Sequence, residues 1–185
     1  MTTDEYHLSL SANPLNGHLL HLTMEAKREL LDVLLEDARQ SSADIARQLD
    51  IEEADVSALL SELEEQGAVR GYQAVVNWDQ TEESHVQARV ELNVELDRET
   101  GYEEIARRIA KFSKVQSLRL VSGSYDFAVD VEGESMRDIS NFVSEQIAPI
   151  PEVTQTVTHF VMHTYKDRGV YFDNRDEDDR LAVSP

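Results

Sequence analysis

The stretch VQARVELNVEL, residues 86–96, places Val86, Ala88, Val90, Leu92, Val94 and Leu96 at every second position, with polar residues between them. Successive side chains of a strand point to opposite faces, so this period reads as a half-buried β-strand. Downstream, GYEEIARRIAKF (101–112) brings Ile105, Ala106, Ile109 and Phe112 to one side of a helix. VQSLRLVSG (115–123) and SYDFAVDVEG (124–133) read as two strands joined by a tight hairpin at Gly123–Ser124. SMRDISNFVSEQI (135–147) is helical through Met136, Ile139, Phe142, Val143 and Ile147, and Pro149 and Pro151 end it. VTQTVTHFVMHTY (153–165) reads as the last strand. The order strand-helix-strand-strand-helix-strand is the ferredoxin-like βαββαβ arrangement, in which two helices cover one face of a four-stranded antiparallel sheet.

Val86, Ala88 and Val90, with Thr156, Thr158, Phe160 and Met162 on the last strand, suggest apolar character on both faces of that sheet. An exposed apolar sheet face on a small domain predicts association, and hence a homodimer through this domain.

The chain ahead of residue 86 has helical rather than alternating periods. Met24–Arg39 carries Ala26, Leu30, Val33 and Leu34 along one side. Ser41 and Ser42 are good N-cap types for a second helix burying Ile45, Ala46 and Leu49. After a break at Asp50–Ile51, a third helix from about Glu52 to Gln66 buries Val56, Leu59, Leu60 and Leu63, and Gly67 supplies its stop. Three helices with a short turn between the second and third make a helix-turn-helix unit. AVRGYQAVVNW (68–78) is rich in β-formers and reads as a linking strand; TEESH (81–85) is turn-like. The expected organisation is a weakly ordered extension (1–23), a helix-turn-helix domain (24–67), a linking strand and linker (68–85), a βαββαβ domain (86–165) and a C-terminal extension (166–185).

With no cysteine there is no disulfide framework, thiolate zinc site or cysteine nucleophile. No apolar run is long enough to span a membrane and the N-terminus lacks a secretory pattern, so a cytoplasmic protein without a membrane partner is expected. The charge is −20, from 37 acids against 17 Lys and Arg, and only Lys27, Lys111, Lys114 and Lys166 are lysines. Acids spread along the whole chain keep a surface hydrated where salt screens their repulsion, which points to a very salty cytoplasm, an ordinary acidic protein being the other reading.

In this order and spacing the pieces resemble the Lrp/AsnC (leucine-responsive, feast/famine) family of transcriptional regulators over residues 24–181. LEEQGAVRGYQAVVNW (63–78) resembles the end of that family's recognition helix and its linking strand. VSGSYDFAVDVEG (121–133) is similar to its G-x-Y-D hairpin, and VTQTVTHFVMHTYKDRGVYF (153–172), ending in RLAVSP, to a subgroup with a YK-x-x-G extension. The resemblance implies an α+β fold, a winged helix-turn-helix domain followed by a RAM-type βαββαβ domain. It also implies a homodimer able to form higher even-numbered assemblies, and sequence-specific DNA binding tuned by a small effector, commonly an amino acid. Carried over, the effector-binding residues are Gly123, Tyr125 and Asp126 of the hairpin, with Thr156 and Thr158 on the last strand close by. The chemistry fits. Glycine lets backbone N–H groups approach a carboxylate, aspartate accepts an ammonium and threonine hydroxyls add neutral bonds.

Residues 24–78 hold five bases (Lys27, Arg28, Arg39, Arg47, Arg70) against thirteen acids, and the recognition helix EEADVSALLSELEEQ holds six acids and no base. Phosphate neutralisation by Lys and Arg normally dominates DNA affinity. The residues left for contacts are Arg47, Ser57 and Ser61, the two serines four apart on one helix side. A second reading is an amino-acid-sensing co-regulator that lacks its own DNA binding and pairs with a basic paralogue. A third is a haem-pathway decarboxylase-like enzyme on the same architecture, which needs positive surface for an anionic substrate. His159 and His163 lie four apart on the expected strand, about 13 Å from each other, too far for joint metal ligation. With no H-E-x-x-H, P-loop or G-x-G-x-x-G pattern, no metal, cofactor or catalytic residue is expected.

Overall fold

A computed structural model of the chain describes residues 14–96 and 100–172, with side chains from residue 24 onward. The expected extension up to residue 13 and the charge run at 173–180 lie outside the described residues. The chain divides between Ala74 and Val75 into two compact units.

In the first unit, α1 (Pro14–Glu36) begins well ahead of the Met24 start that its apolar spacing predicts; α2 spans Ser42–Leu49 and α3 Glu53–Glu65. Ser41 caps α2. Its backbone is extended, and its Oγ accepts the Asp44 N–H at 3.1 Å while donating to Asp44 Oδ2 at 2.6 Å. Asp50 ends α2 in the left-handed region (φ 53°), its N–H bonded to Ala46 O, so residues 50–52 alone connect α2 to α3. Aspartate is among the few non-glycine residues that tolerate this geometry. Gly67 (φ +71°) closes α3, and the Ala68 and Val69 N–H groups return to Leu63 O at 2.9 and 3.1 Å. Leu30, Val33, Ile45, Ala46, Val56 and Leu63 form the buried centre where the three helices meet.

The linking strand expected over 68–78 has no ladder within the single chain: residues 69–77 are irregular, and Trp78–Gln80 makes one 3-10 turn, its Asp79 N–H accepted by the Asn77 side chain at 3.2 Å. β-forming residues supply only a propensity. A strand also needs a second segment to complete its ladder.

The second unit contains β1 (Val86–Val94), α4 (Tyr102–Ile109), β2 (Val115–Leu120), β3 (Phe127–Gly133), α5 (Met136–Phe142) and β4 (Val153–Phe160). α5 runs on into a π-helical turn, Val143–Ile147. The sheet order is β2-β3-β1-β4, all antiparallel. Ala88, Val90, Leu92, Phe127, Val129 and Val131 point from the two central strands into a core closed by Ile105, Ile109, Ile139, Phe142 and Ile147. The last strand stops at Phe160 rather than Tyr165. Beyond it, a small hairpin that the sequence reading missed pairs β5 (Lys166–Asp167) with β6 (Val170–Tyr171). Its turn residues, Arg168 (φ 45°) and Gly169 (φ 89°), are both left-handed, the twist a two-residue hairpin favours.

The register corrects the expectation of two apolar sheet faces. Ala88, Val90 and Leu92 stand opposite Phe160, Thr158 and Thr156, so these residues share the helix-covered face. The uncovered face, with Ala128 and Val157 beside Glu91, carries a charge ladder. Arg89 and Arg119 reach Asp130 at 2.8 and 3.0 Å, His159 lies 3.5 Å from Glu91, and Gln87 donates to Glu132 at 3.0 Å. Period-two reading sorts faces within one strand, whereas matching faces between strands requires the register. Met162, 82% exposed, lies past the strand end.

Candidate effector and DNA-contact sites

Residues 121–126 connect β2 to β3 as a six-residue loop rather than a tight hairpin at Gly123–Ser124, closed by Val121 N–H to Asp126 O at 2.9 Å. Gly123 is exposed at φ +145°, and a Cβ there would meet open space. Tyr125 is half-buried and lies near Arg89, whose charged form is favoured chiefly by the hydrogen bond and charge of Asp130.

Asp126 is bonded on every side. Its N–H donates to Leu92 O at 2.9 Å, its Oδ2 accepts the Val94 N–H at 2.9 Å, and its Oδ1 accepts the Tyr102 hydroxyl at 3.1 Å. That hydroxyl titrates above its ordinary range, chiefly because it donates to a carboxylate that then carries charge beside it. Tyr102 opens α4 and packs edge-on to Phe127 at 5.8 Å. Sequence reasoning missed it, because nothing local ties residue 102 to residue 126.

The same sheet end gathers further contacts. Asn93 Nδ2 donates to Ser124 O at 3.4 Å and Thr154 Oγ1 to Asn93 O at 3.1 Å. Glu95 N–H donates to Glu152 O at 2.8 Å. Thr156 and Thr158 are less close than expected. Thr156 faces Leu92 across β1 from Phe127, about 10 Å from β3, and Thr158 is a further pair along. The loop therefore gathers Gly123, Tyr125 and Asp126, and the two threonines stand apart from it.

In the helical unit Arg47, Ser57 and Ser61 are all exposed. Arg47 sits in the last turn of α2 and pairs with Asp44, while the Ser57 hydroxyl donates to Glu53 O at 3.1 Å. Ala54, Ser57, Ala58 and Ser61 make an exposed stripe of small residues on α3, flanked by Glu53, Asp55, Glu64 and Glu65. The surroundings are acidic throughout: Glu29, Asp32, Glu36 and Asp50 line a groove between α1 and the end of α2. Lys27 is paired with Glu62 at 2.5 Å, and holds that carboxyl below its ordinary range.

His163 lies outside β4, 3.5 Å from Asp79 and edge-on to Tyr165, so it and His159 do not share a strand. Among the described residues no cluster of three metal-ligating side chains occurs, and no helix is long and apolar enough to cross a membrane.

Comparison with known proteins gives a consistent picture. Residues 87–171 match the Lrp/AsnC ligand binding domain family and residues 25–70 a winged helix-turn-helix DNA-binding family. The HTH-type transcriptional regulator YugG of Bacillus subtilis is 34% identical over 87% of this chain and 98% of its own length. The leucine-responsive regulatory protein of Salmonella typhimurium is 24% identical over 75% of this chain and 84% of its own. Among solved structures, a transcriptional regulator of Neisseria meningitidis in complex with L-Met superposes with a TM-score of 0.63 at 21% identity, over 77% of this chain and 91% of the other.

Proposed function

Since the chain belongs to the Lrp/AsnC family of helix-turn-helix transcriptional regulators, we propose that it binds its operators as a homodimer or higher even-numbered oligomer and that a free amino acid sets its activity. The observation that carries the effector half is the loop 121–126. It is pinned at both ends, and an exposed glycine at its tip leaves room for a ligand carboxylate beside the backbone. Gly123 and Tyr125 supply the contact surface, and the solved relative that holds L-Met supports an amino acid as the effector class.

DNA contact falls to Arg47, Ser57 and Ser61. The small side chains of Ala54 and Ala58 let the backbone of α3 approach the groove, and dissolved potassium screens the flanking carboxylates. The charge ladder on the uncovered sheet face is the surface on which a second copy docks, through polar rather than apolar contacts. The test is a mobility-shift titration on promoter fragments across potassium chloride, with and without each amino acid. Retardation that responds to one amino acid supports the reading. Absence of binding at every salt concentration refutes it in favour of a co-regulator.

A further inference from the structure

Asp126 has an in-chain donor on each carboxylate oxygen, which sets it apart from a residue waiting for a ligand ammonium. The last register pair between β1 and β3 is Leu92 with Phe127. Beyond it the ladder ends, and the Asp126 carboxylate takes up the Val94 N–H that β3 no longer reaches, at 2.9 Å. The other oxygen accepts from Tyr102, the first residue of α4, at 3.1 Å. One side chain thus ties three segments together: the loop 121–126, the end of β1 and the start of α4. Asn93 adds a bond to Ser124 O within the same loop, leaving Gly123 as the unobstructed tip.

We propose that Asp126 and Tyr102 are a positioning pair for the effector loop: their bond, with that from the Val94 N–H, holds residues 121–126 in the geometry that receives the amino acid, and neither side chain touches it. This rests on the effector reading above and changes what Asp126 does in it. A carboxylate that neutralised the ligand ammonium would act alone. In a clasp the two losses overlap, since Tyr102 and Asp126 hold the same loop, with Asp126 keeping its Val94 bond when Tyr102 is lost. The bond to Asp126 raises the titration of the Tyr102 hydroxyl above its ordinary range.

The experiment is a double-mutant cycle read by calorimetry with the twenty amino acids on the intact chain. Tyr102→Phe removes only the hydroxyl, and Asp126→Asn keeps one acceptor while removing the charge. Tyr102→Phe is expected to weaken binding about fivefold, as for one net hydrogen bond, Asp126→Asn at least as much because it also disturbs the Val94 bond, and the double change no more than Asp126→Asn alone. Collapse of binding in Asp126→Asn with full affinity in Tyr102→Phe overturns the proposal in favour of direct ammonium contact. Nuclear magnetic resonance of ring-labelled tyrosine reads the clasp without effector. Tyr102 should titrate above free tyrosine and fall back in Asp126→Asn, and the Val94 amide should exchange slowly and be released in Asp126→Ala. Ordinary titration with a fast Val94 amide in the unmodified chain also overturns it. No binding of any amino acid, with both signatures intact, overturns the effector reading instead.

Discussion

Arg108 and Glu152 form a two-pronged ion pair, with Nη2 to Oε1 at 2.9 Å and Nη1 to Oε2 at 3.2 Å, and the Glu152 side chain is only 9% exposed. The pair joins α4 to the turn that launches β4, where Glu152 also accepts the Glu95 N–H through its backbone oxygen. Removing the arginine leaves a nearly buried carboxylate without its two-pronged partner, a costly state. Arg108 is 38% exposed, so water softens the loss. Arg108→Ala is expected to destabilise the second unit by about 1–3 kcal/mol in urea unfolding, and Arg108→Lys by less. An unchanged midpoint for Arg108→Ala would remove the pair from the account of stability.

Asp130 on the uncovered sheet face titrates below its ordinary 3.8. Burial pushes it up, but hydrogen bonds and charge from Arg89, with a hydrogen bond from Arg119, outweigh that. A carboxyl depressed in the folded state stabilises above its unfolded pKa, and that stability is lost as pH falls through the folded one. Asp130→Asn should therefore be less stable than the parent at pH 7. The gap should close as pH falls below about 3.8. Denaturation midpoints of both chains between pH 7 and 2 test this, and a gap constant over that range would contradict it.

Two left-handed positions frame α3 and predict opposite responses. Gly67→Ala strains a φ of +71° and pushes a Cβ toward the Arg70 guanidinium, so it should cost about 1 kcal/mol. Asp50→Gly relieves a φ of 53° and should be neutral or stabilising by up to about 1 kcal/mol. Circular dichroism melts of the two variants decide it, and a destabilised Asp50→Gly would show that the aspartate side chain matters to the turn.

On DNA, Arg47→Ala should weaken binding equally across sequences and make the salt slope shallower by about one unit, as for loss of one phosphate contact. Ser61→Asp, which adds a seventh acid to the helix 52–66, should weaken binding more at low potassium than at high. An unaltered slope in Arg47→Ala would place the phosphate contacts elsewhere.

The apolar periods carried much of the architecture before any fold was known. Leu30, Val33, Ile45, Val56 and Leu63 repeat at helical spacing, and Val90 and Leu92 alternate; all are buried, because burying such side chains is what drives their segments together. Ser41 and Gly67 marked helix ends through chemistry local to the chain. The expected strand at 68–78 finds no partner segment within the single chain, and the 166–171 hairpin went unseen because its strands are only two residues long. The effector loop was legible as a motif, but its clasp was not.

The sequence by itself determined the helix-turn-helix order, the βαββαβ order and the family, since each follows from patterns read along the chain. Only the tertiary structure decided that Thr156 and Thr158 share the covered face with Val90 and Leu92, that the open face is a charge ladder, and that Asp126 is bound by Tyr102 and Val94. Such facts depend on strand register and on contacts between residues tens of positions apart. Packing, not local composition, selects among the pairings that the sequence alone leaves equal.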